Sequence, residues 1–227
     1  MESELRRLNR ALLAISRCNQ AMLRAVNEME LLHEVCRIVV EVGGYRMAWV
    51  GYAEDDRKKS VRPVAKAGFD DGYLEKLKIS WADNELGQGP AGTAIRTGQS
   101  CTVRDLLIDP HFERWREDAK ERGYASIHSL PMKVDKKVFG ALTIYALIPD
   151  AFNSEEAELI KALADNLAYG IKMLRTRNAQ QNSENEIRES EARYRSLFQN
   201  KHTVMLIVDP DDGRIVDVNP AAVTYYG

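Results

Sequence analysis

The stretch ASIHSLPMKVDKKVFGALTIYAL, residues 125–147, contains two runs rich in β-branched and aromatic residues, ASIHSLPMKV and KVFGALTIYAL, around Asp135-Lys136. Two such runs joined by a short polar turn read as a β-hairpin. Upstream, MAWVGYAE (47–54) and VRPVAKAG (61–68) flank the charged turn DDRKKS as a second antiparallel pair, and SCTVRD (100–105) supplies a shorter strand. Between these runs, FDDGYLEKLKI reads as a short helix leading to Trp81. NELGQGPAGTAIRTGQ reads as a glycine-rich loop entering another helix, and DPHFERWREDAKERGY as a helix that starts after Asp109-Pro110 and stops at Gly123. Hairpins in sequence, helices at both ends and a helical middle predict an α+β fold: an antiparallel sheet of five to six strands flanked by helices.

The flanks predict long helices. Leu5, Leu8, Leu12, Ile15, Asn19, Met22, Val26 and Met29 step by three and four residues, a heptad seam. It reads either as one amphipathic helix packed on its own domain or as a parallel dimeric coiled coil in which Asn19 fixes register. Residues 1–29 are accordingly an N-terminal signalling helix. A second helix, Glu30 to about Val42, carries Cys36 in its apolar stripe and ends at Gly43-Gly44. FNSEEAELIKALADNLAYGIKMLR opens on the cap signal Asn153-Ser154 and runs helically to Arg175. Beyond it, residues 176–190 are almost devoid of apolar side chains. The seam from Leu167, Ile171 and Leu174 lands on Asn178, Gln181 and Asn185, so this reads as a marginal helical linker.

Composition narrows the function. With 32 basic and 34 acidic side chains, the formal charge of -2 excludes the basic field of a nucleic-acid binder. No run approaches the roughly 20 apolar residues of a membrane span, and the charged start is not a signal peptide, which predicts a cytosolic stretch without membrane contact. Cys18, Cys36 and Cys101 have no CxxC pairing. His33, His111, His128 and His202 form no ligand-like pair, so neither a disulfide framework nor a metal site is expected.

GYRMAWVGYAE, LGQGPAGTAIRTGQ, RDLLIDPHFERWREDAKERGYASIHSLPM and VFGALTIYALIPDAFNSEEAELIKALAD together resemble a GAF domain, covering residues 30–175. They are similar to those of bacterial and archaeal sensors that end in histidine kinase or diguanylate cyclase domains. SEARYRSLFQNKHTVMLIVDPDDGRIVDVNPAAVTYYG resembles the opening of a PAS domain, residues 191–227. The resemblance implies the regulatory region of a multidomain signalling protein, itself not an enzyme, with a downstream output domain, a homodimeric state and an unidentified small-molecule effector.

It also implies a pocket between the sheet and the short middle helices. Trp49, Trp81, Trp115, His128 and Tyr145 are bulky groups with polar tips in the segments that would line it. The same aromatics could fill a core without a ligand, which leaves a pure dimerisation and interaction module as the alternative. Gly92-Thr93 near a helix start offers backbone N–H groups to an anion, against the plainer reading of a turn needing glycine at positive φ. No cofactor is evident: Cys101 is followed by Thr102 rather than the histidine of bilin-binding members, Phe152, Glu155 and Glu156 only faintly match a cyclic-nucleotide motif, and His128 is the lone candidate haem ligand. Some stand-alone proteins of this fold reduce free methionine sulfoxide with paired cysteines, and no such pair stands out.

If the N-terminal seam is an interface, sedimentation of the chain at high concentration returns a dimer. A monomer would leave those leucines to intramolecular packing alone.

Overall fold

The computed structural model describes residues 2–199 and 202–227. The chain divides into two compact units, one ending at Arg175 and one beginning at Thr176.

In the first unit the sheet has the order β2-β1-β5-β4-β3, built from β1 (Met47–Ala53), β2 (Val61–Gly68), β3 (Cys101–Val103), β4 (Ser126–Val134) and β5 (Lys137–Ala146). Every pairing is antiparallel. The β4–β5 turn has Asp135 and Lys136 at φ 50° and 69°, the left-handed pair that matches strand twist in a two-residue hairpin. The sequence expectation of an antiparallel α+β sheet therefore holds.

Period-two alternation sends the side chains of the central strands to two separate cores. Ala48, Val50, Leu130, Met132, Leu142 and Ile144 meet α1 (Glu2–Arg24), α2 (Glu28–Glu41) and the start of α6 (Ser154–Phe198). Met47, Trp49, Ile127, Ala141 and Tyr145 face the opposite way, toward α3 (Tyr73–Lys76), α4 (Pro90–Thr97), a 3₁₀ turn at Pro110–Trp115 and α5 (Arg116–Glu121).

The N-terminal helix differs from expectation. It stops at Arg24, and Asn27 caps α2, its side-chain oxygen accepting from the backbone N–H of Met29 at 2.8 Å and Glu30 at 3.2 Å. An asparagine that satisfies these orphan donors competes with helix continuation. Val26 thus lies between helices and Met29 belongs to α2. The face that α1 buries is Ala11, Ala14 and Cys18, with Leu8, Ile15, Asn19 and Met22 half-buried, while Leu5 and Leu12 are 60% and 50% exposed. Asn19 finds its polar partner in its own chain, accepting from Asn166 Nδ2 at 3.2 Å. The amphipathic-helix reading accounts for this packing.

Helix α6 is 45 residues long, so the polar stretch 176–190 is continuous helix rather than a break. In the second unit, β6 (Leu206–Val208) pairs antiparallel with β7 (Ile215–Val218), and α7 (Pro220–Tyr226) follows. Asn219 caps α7 at Ala222 N and also bonds Met205 N and Thr203 O, fastening the hairpin to the helix.

Gly92 sits inside α4, and a Cβ there would stand 2.2 Å from Ser80 O and 2.7 Å from Gly87 O. Close backbone approach, not positive φ, explains this glycine. Gly92→Ala is expected to cost about 2 kcal/mol or more of unfolding free energy in urea titration, whereas Gly72→Ala, with open space but a φ of +69°, should cost about 1 kcal/mol.

Candidate functional site

The face opposite α1, α2 and α6 contains a half-open hollow of about 30 Å³. Trp49, Ile127, Thr143 and Tyr145 form its floor on the sheet. Tyr73 of α3, Pro90 and Ala91 of α4, and Phe112 and Trp115 of the 3₁₀ turn close it. One ordered water needs roughly 10–15 Å³ of such space. No carboxylate, amine, guanidinium or imidazole lines it among the described residues. Thr143 Oγ1 is paired with Ser129 Oγ at 3.0 Å. The Trp49 indole N–H, on a side chain only 1% exposed, has no hydrogen-bond partner among the described residues. Tyr73 and Tyr145 pack edge to face with centroids 6.1 Å apart, and Tyr124 lies 4.4 Å from Tyr145. Burial pushes the Tyr145 phenol well above its ordinary range and that of Tyr73 up to about 12, so both stay protonated.

Of the residues singled out in the sequence, Trp49, Trp115 and Tyr145 come together at this hollow. Trp81 stands outside it, its Nε1 donating to Glu54 O at 2.9 Å and its ring covered by the Lys59 ammonium at 4.2 Å. Thr93 uses its N–H on Gly89 O and its hydroxyl on Gln88 O, both local contacts at the α4 start. His128 is on the wrong face. One residue along β4 from Ile127, it points to the helix side, stacks on Phe152 at 5.2 Å and engages Thr102 Oγ1 through Nδ1 at 2.7 Å. Burial lowers its pKa to about 4 and keeps it neutral. Sequence reasoning passed over Tyr73, Phe112 and Thr143. The last was legible in principle, because it shares strand parity with Tyr145.

A larger hollow, about 640 Å³, is an open groove between α1 and α2. On its wall Arg37 reaches Glu34 at 2.7 Å and Glu41 at 2.6 Å.

Two buried or half-buried clamps tie α6 to the domain. At its start, the Tyr45 hydroxyl donates to Glu156 Oε1 at 2.5 Å, and Arg7 Nε stands 3.9 Å from Oε2. At Arg175, Nε donates to Glu28 Oε2 at 2.7 Å and Nη2 to Oε1 at 2.6 Å. The Tyr52 hydroxyl also donates to Glu28 Oε1. The guanidinium lies 5.3 Å from the Tyr52 ring centroid and 5.2 Å from that of Phe139. Tyr52 belongs to β1, the strand that carries Trp49, with a register shift at Val50/Gly51 between them.

The thiols do not converge on this site. Cys18 and Cys36 are buried in the helix-side core, where burial raises both, Cys18 to about 12. Cys101 is half-buried on β3, and burial raises it as well. Among the described residues no cluster of three or more His, Cys, Asp or Glu could hold a metal ion. No helix among the described residues is long and apolar enough to cross a membrane.

Comparison with known proteins places this geometry. The GAF domain profile matches residues 25–172 and a PAS domain profile residues 192–227. A methyl sulfide methyltransferase-associated sensor of Methanosarcina acetivorans is 30% identical over 155 residues, 68% of this chain but only 15% of the relative. Among solved structures, the GAF domain of a phosphoenolpyruvate-protein phosphotransferase from Coxiella burnetii superposes with a TM-score of 0.61 at 20% identity, over 76% of this chain and 98% of that one. Free methionine-R-sulfoxide reductase from Neisseria meningitidis gives 0.59 at 17%, over 73% and 92%. At these identities the superpositions establish the fold alone.

The Arg175 guanidinium holds the Glu28 carboxyl below its usual range. Glu28→Gln is expected to cost about 1 kcal/mol at neutral pH, the scale of a partly exposed bidentate pair. A depressed carboxyl stabilises above its unfolded-state value of 4.5 and loses that contribution as pH falls through the folded value. Urea midpoints of parent and variant should therefore differ near neutrality and converge in acid.

Proposed function

The chain belongs to the GAF domain family and carries the opening of a PAS domain, and on that premise we propose that it is the sensory region of a larger signal-transduction protein, regulated through the hollow under β1. The observation that carries this reading is the placement of Trp49 and Tyr52 on one strand. The first ends in the hollow with an unpaired donor, and the second ends in the clamp at the last turn of α6 within the first unit. An occupant that engages Trp49 shifts β1. The shift changes the fit of Tyr52 against Glu28 and Arg175, and α6 responds. A coupling of ~1–3 kcal/mol is enough for a switch, comparable with the worth of a charge-assisted clamp.

The relay operates in a homodimer, with the exposed Leu5, Leu12, Leu13, Tyr169 and Met173 as the apolar surface on α1 and α6 that a second copy covers. The output is phosphotransfer by a histidine kinase or cyclic dinucleotide synthesis by a diguanylate cyclase, in a cytosolic setting. The sensor relative in Methanosarcina acetivorans supports the signalling role. Methionine sulfoxide reduction is disfavoured: thiol exchange needs a low-pKa thiol and a resolving partner, and burial raises Cys101 while Cys18 and Cys36 are sealed in the other core.

A second reading, a ligand-free interaction module, draws support from the small volume of the hollow. Hydrogen exchange of the whole chain with and without a small-molecule cell extract separates the two. A sensor gains saturable protection in α3, α4 and the last turn before Arg175, with a rising melting temperature. A ligand-free module shows neither and still sediments as a dimer.

A further inference from the structure

Trp49 Nε1 is a donor with no acceptor role, buried on a side chain that forms part of the wall of the hollow. A buried N–H without a partner is rare and unfavourable. Of the other polar groups nearby, Thr143 is paired with Ser129, and the Tyr73 and Tyr145 phenols perturb each other's titration. The Tyr145 phenol feels the indole N–H as a hydrogen-bond donor, although the pair misses full hydrogen-bond geometry. A well-placed acceptor on an occupant would complete the bond that Tyr145 only approaches.

The walls restrict what that occupant is. With no charged side chain lining the hollow among the described residues, an ion entering it would shed its water and meet no counter-charge from them. The rings of Trp49, Tyr73, Phe112, Trp115 and Tyr145 supply flat apolar surface, which suits methyl groups and other uncharged fragments. At about 30 Å³ the space is that of two or three heavy atoms. Trp115, one of the half-buried lining residues, has its ring so close to Gly89 that a Cβ there would stand 3.2 Å away.

We infer that the hollow under β1 binds a small, uncharged molecule that offers a hydrogen-bond acceptor to the Trp49 indole N–H. This rests on the sensor reading and narrows its ligand.

The test uses four probes of three heavy atoms each. Acetonitrile is neutral with an acceptor, propane neutral without one, formate an anion and ethylammonium a cation. Each is titrated into the ¹⁵N-labelled whole chain while the indole N–H cross-peaks of its three tryptophans are followed. Trp49→Phe assigns its peak, and Trp81→Phe with Trp115→Phe assign it by elimination if that variant fails to fold. The expected result is a saturable shift of the Trp49 peak by acetonitrile, with half-saturation no tighter than about 1 mM for so few atoms. Propane, formate and ethylammonium should leave it in place. Equal shifts from propane overturn the acceptor requirement, and equal shifts from either ion overturn neutrality. No shift from any probe overturns the inference as a whole. The sensor reading survives each of these results if the extract still protects α3 and α4 from exchange, and fails separately if it does not.

Discussion

Strands β1, β4 and β5 bury both of their faces at once, and this demand places nearly everything else in the first unit. A strand with apolar side chains on both sides is stable only with cover on both sides. Long helices α1, α2 and α6 supply one cover, and the short elements between β2 and β4 supply the other. The two covers differ in kind. Three long helices pack with regular stripes, whereas the opposite cover is assembled from α3, α4, α5 and 3₁₀ turns that leave a hollow at their junction. The hollow follows from the less regular side.

In the proposed relay, the strands link the two sides. In β1, Trp49 looks toward the hollow, and Tyr52, three residues on, reaches the carboxylate that also holds Arg175. Ordinary alternation along β1, which stays in register with β5, sends the two side chains to opposite faces, and the extra residue of the nearby bulge, Val64, lies on β2. Glu28 is shared: it stands one residue after the Asn27 cap of α2, binds a strand tyrosine and fixes a turn of α6. Few single side chains touch so many of the parts that a signal would have to move.

Much of the fold was legible because hairpins announce themselves. The β4–β5 turn, the β1–β2 pair and the cap at Asn153 follow from local chemistry. The site was harder. His128 and Ile127 are neighbours in sequence but belong to different cores, and only the register of β4 against β3 and β5 decides which one faces the hollow. Gly92 looked like a turn residue; its need for glycine comes from Ser80 and Gly87, distant or indirect in the chain. The N-terminal stripe was read as one helix because leucine spacing outweighed Asn27. The cap was visible in the sequence as Asn27 followed by Glu28 and Glu30, and it ends the helix after Arg24.

Separation of the interior by the sheet also bears on how such a protein diverges. Side chains from the two cores meet backbone rather than each other, and substitutions without shared partners act nearly independently. A lineage can thus exchange Phe112, Tyr73 or Thr143 and drift toward a new chemical stimulus while the helical side keeps its packing. Selection acting on the helices is equally free to retune their association without erasing recognition. For packing, the β-layer lets the two sides vary separately, except at β1, whose residues serve both.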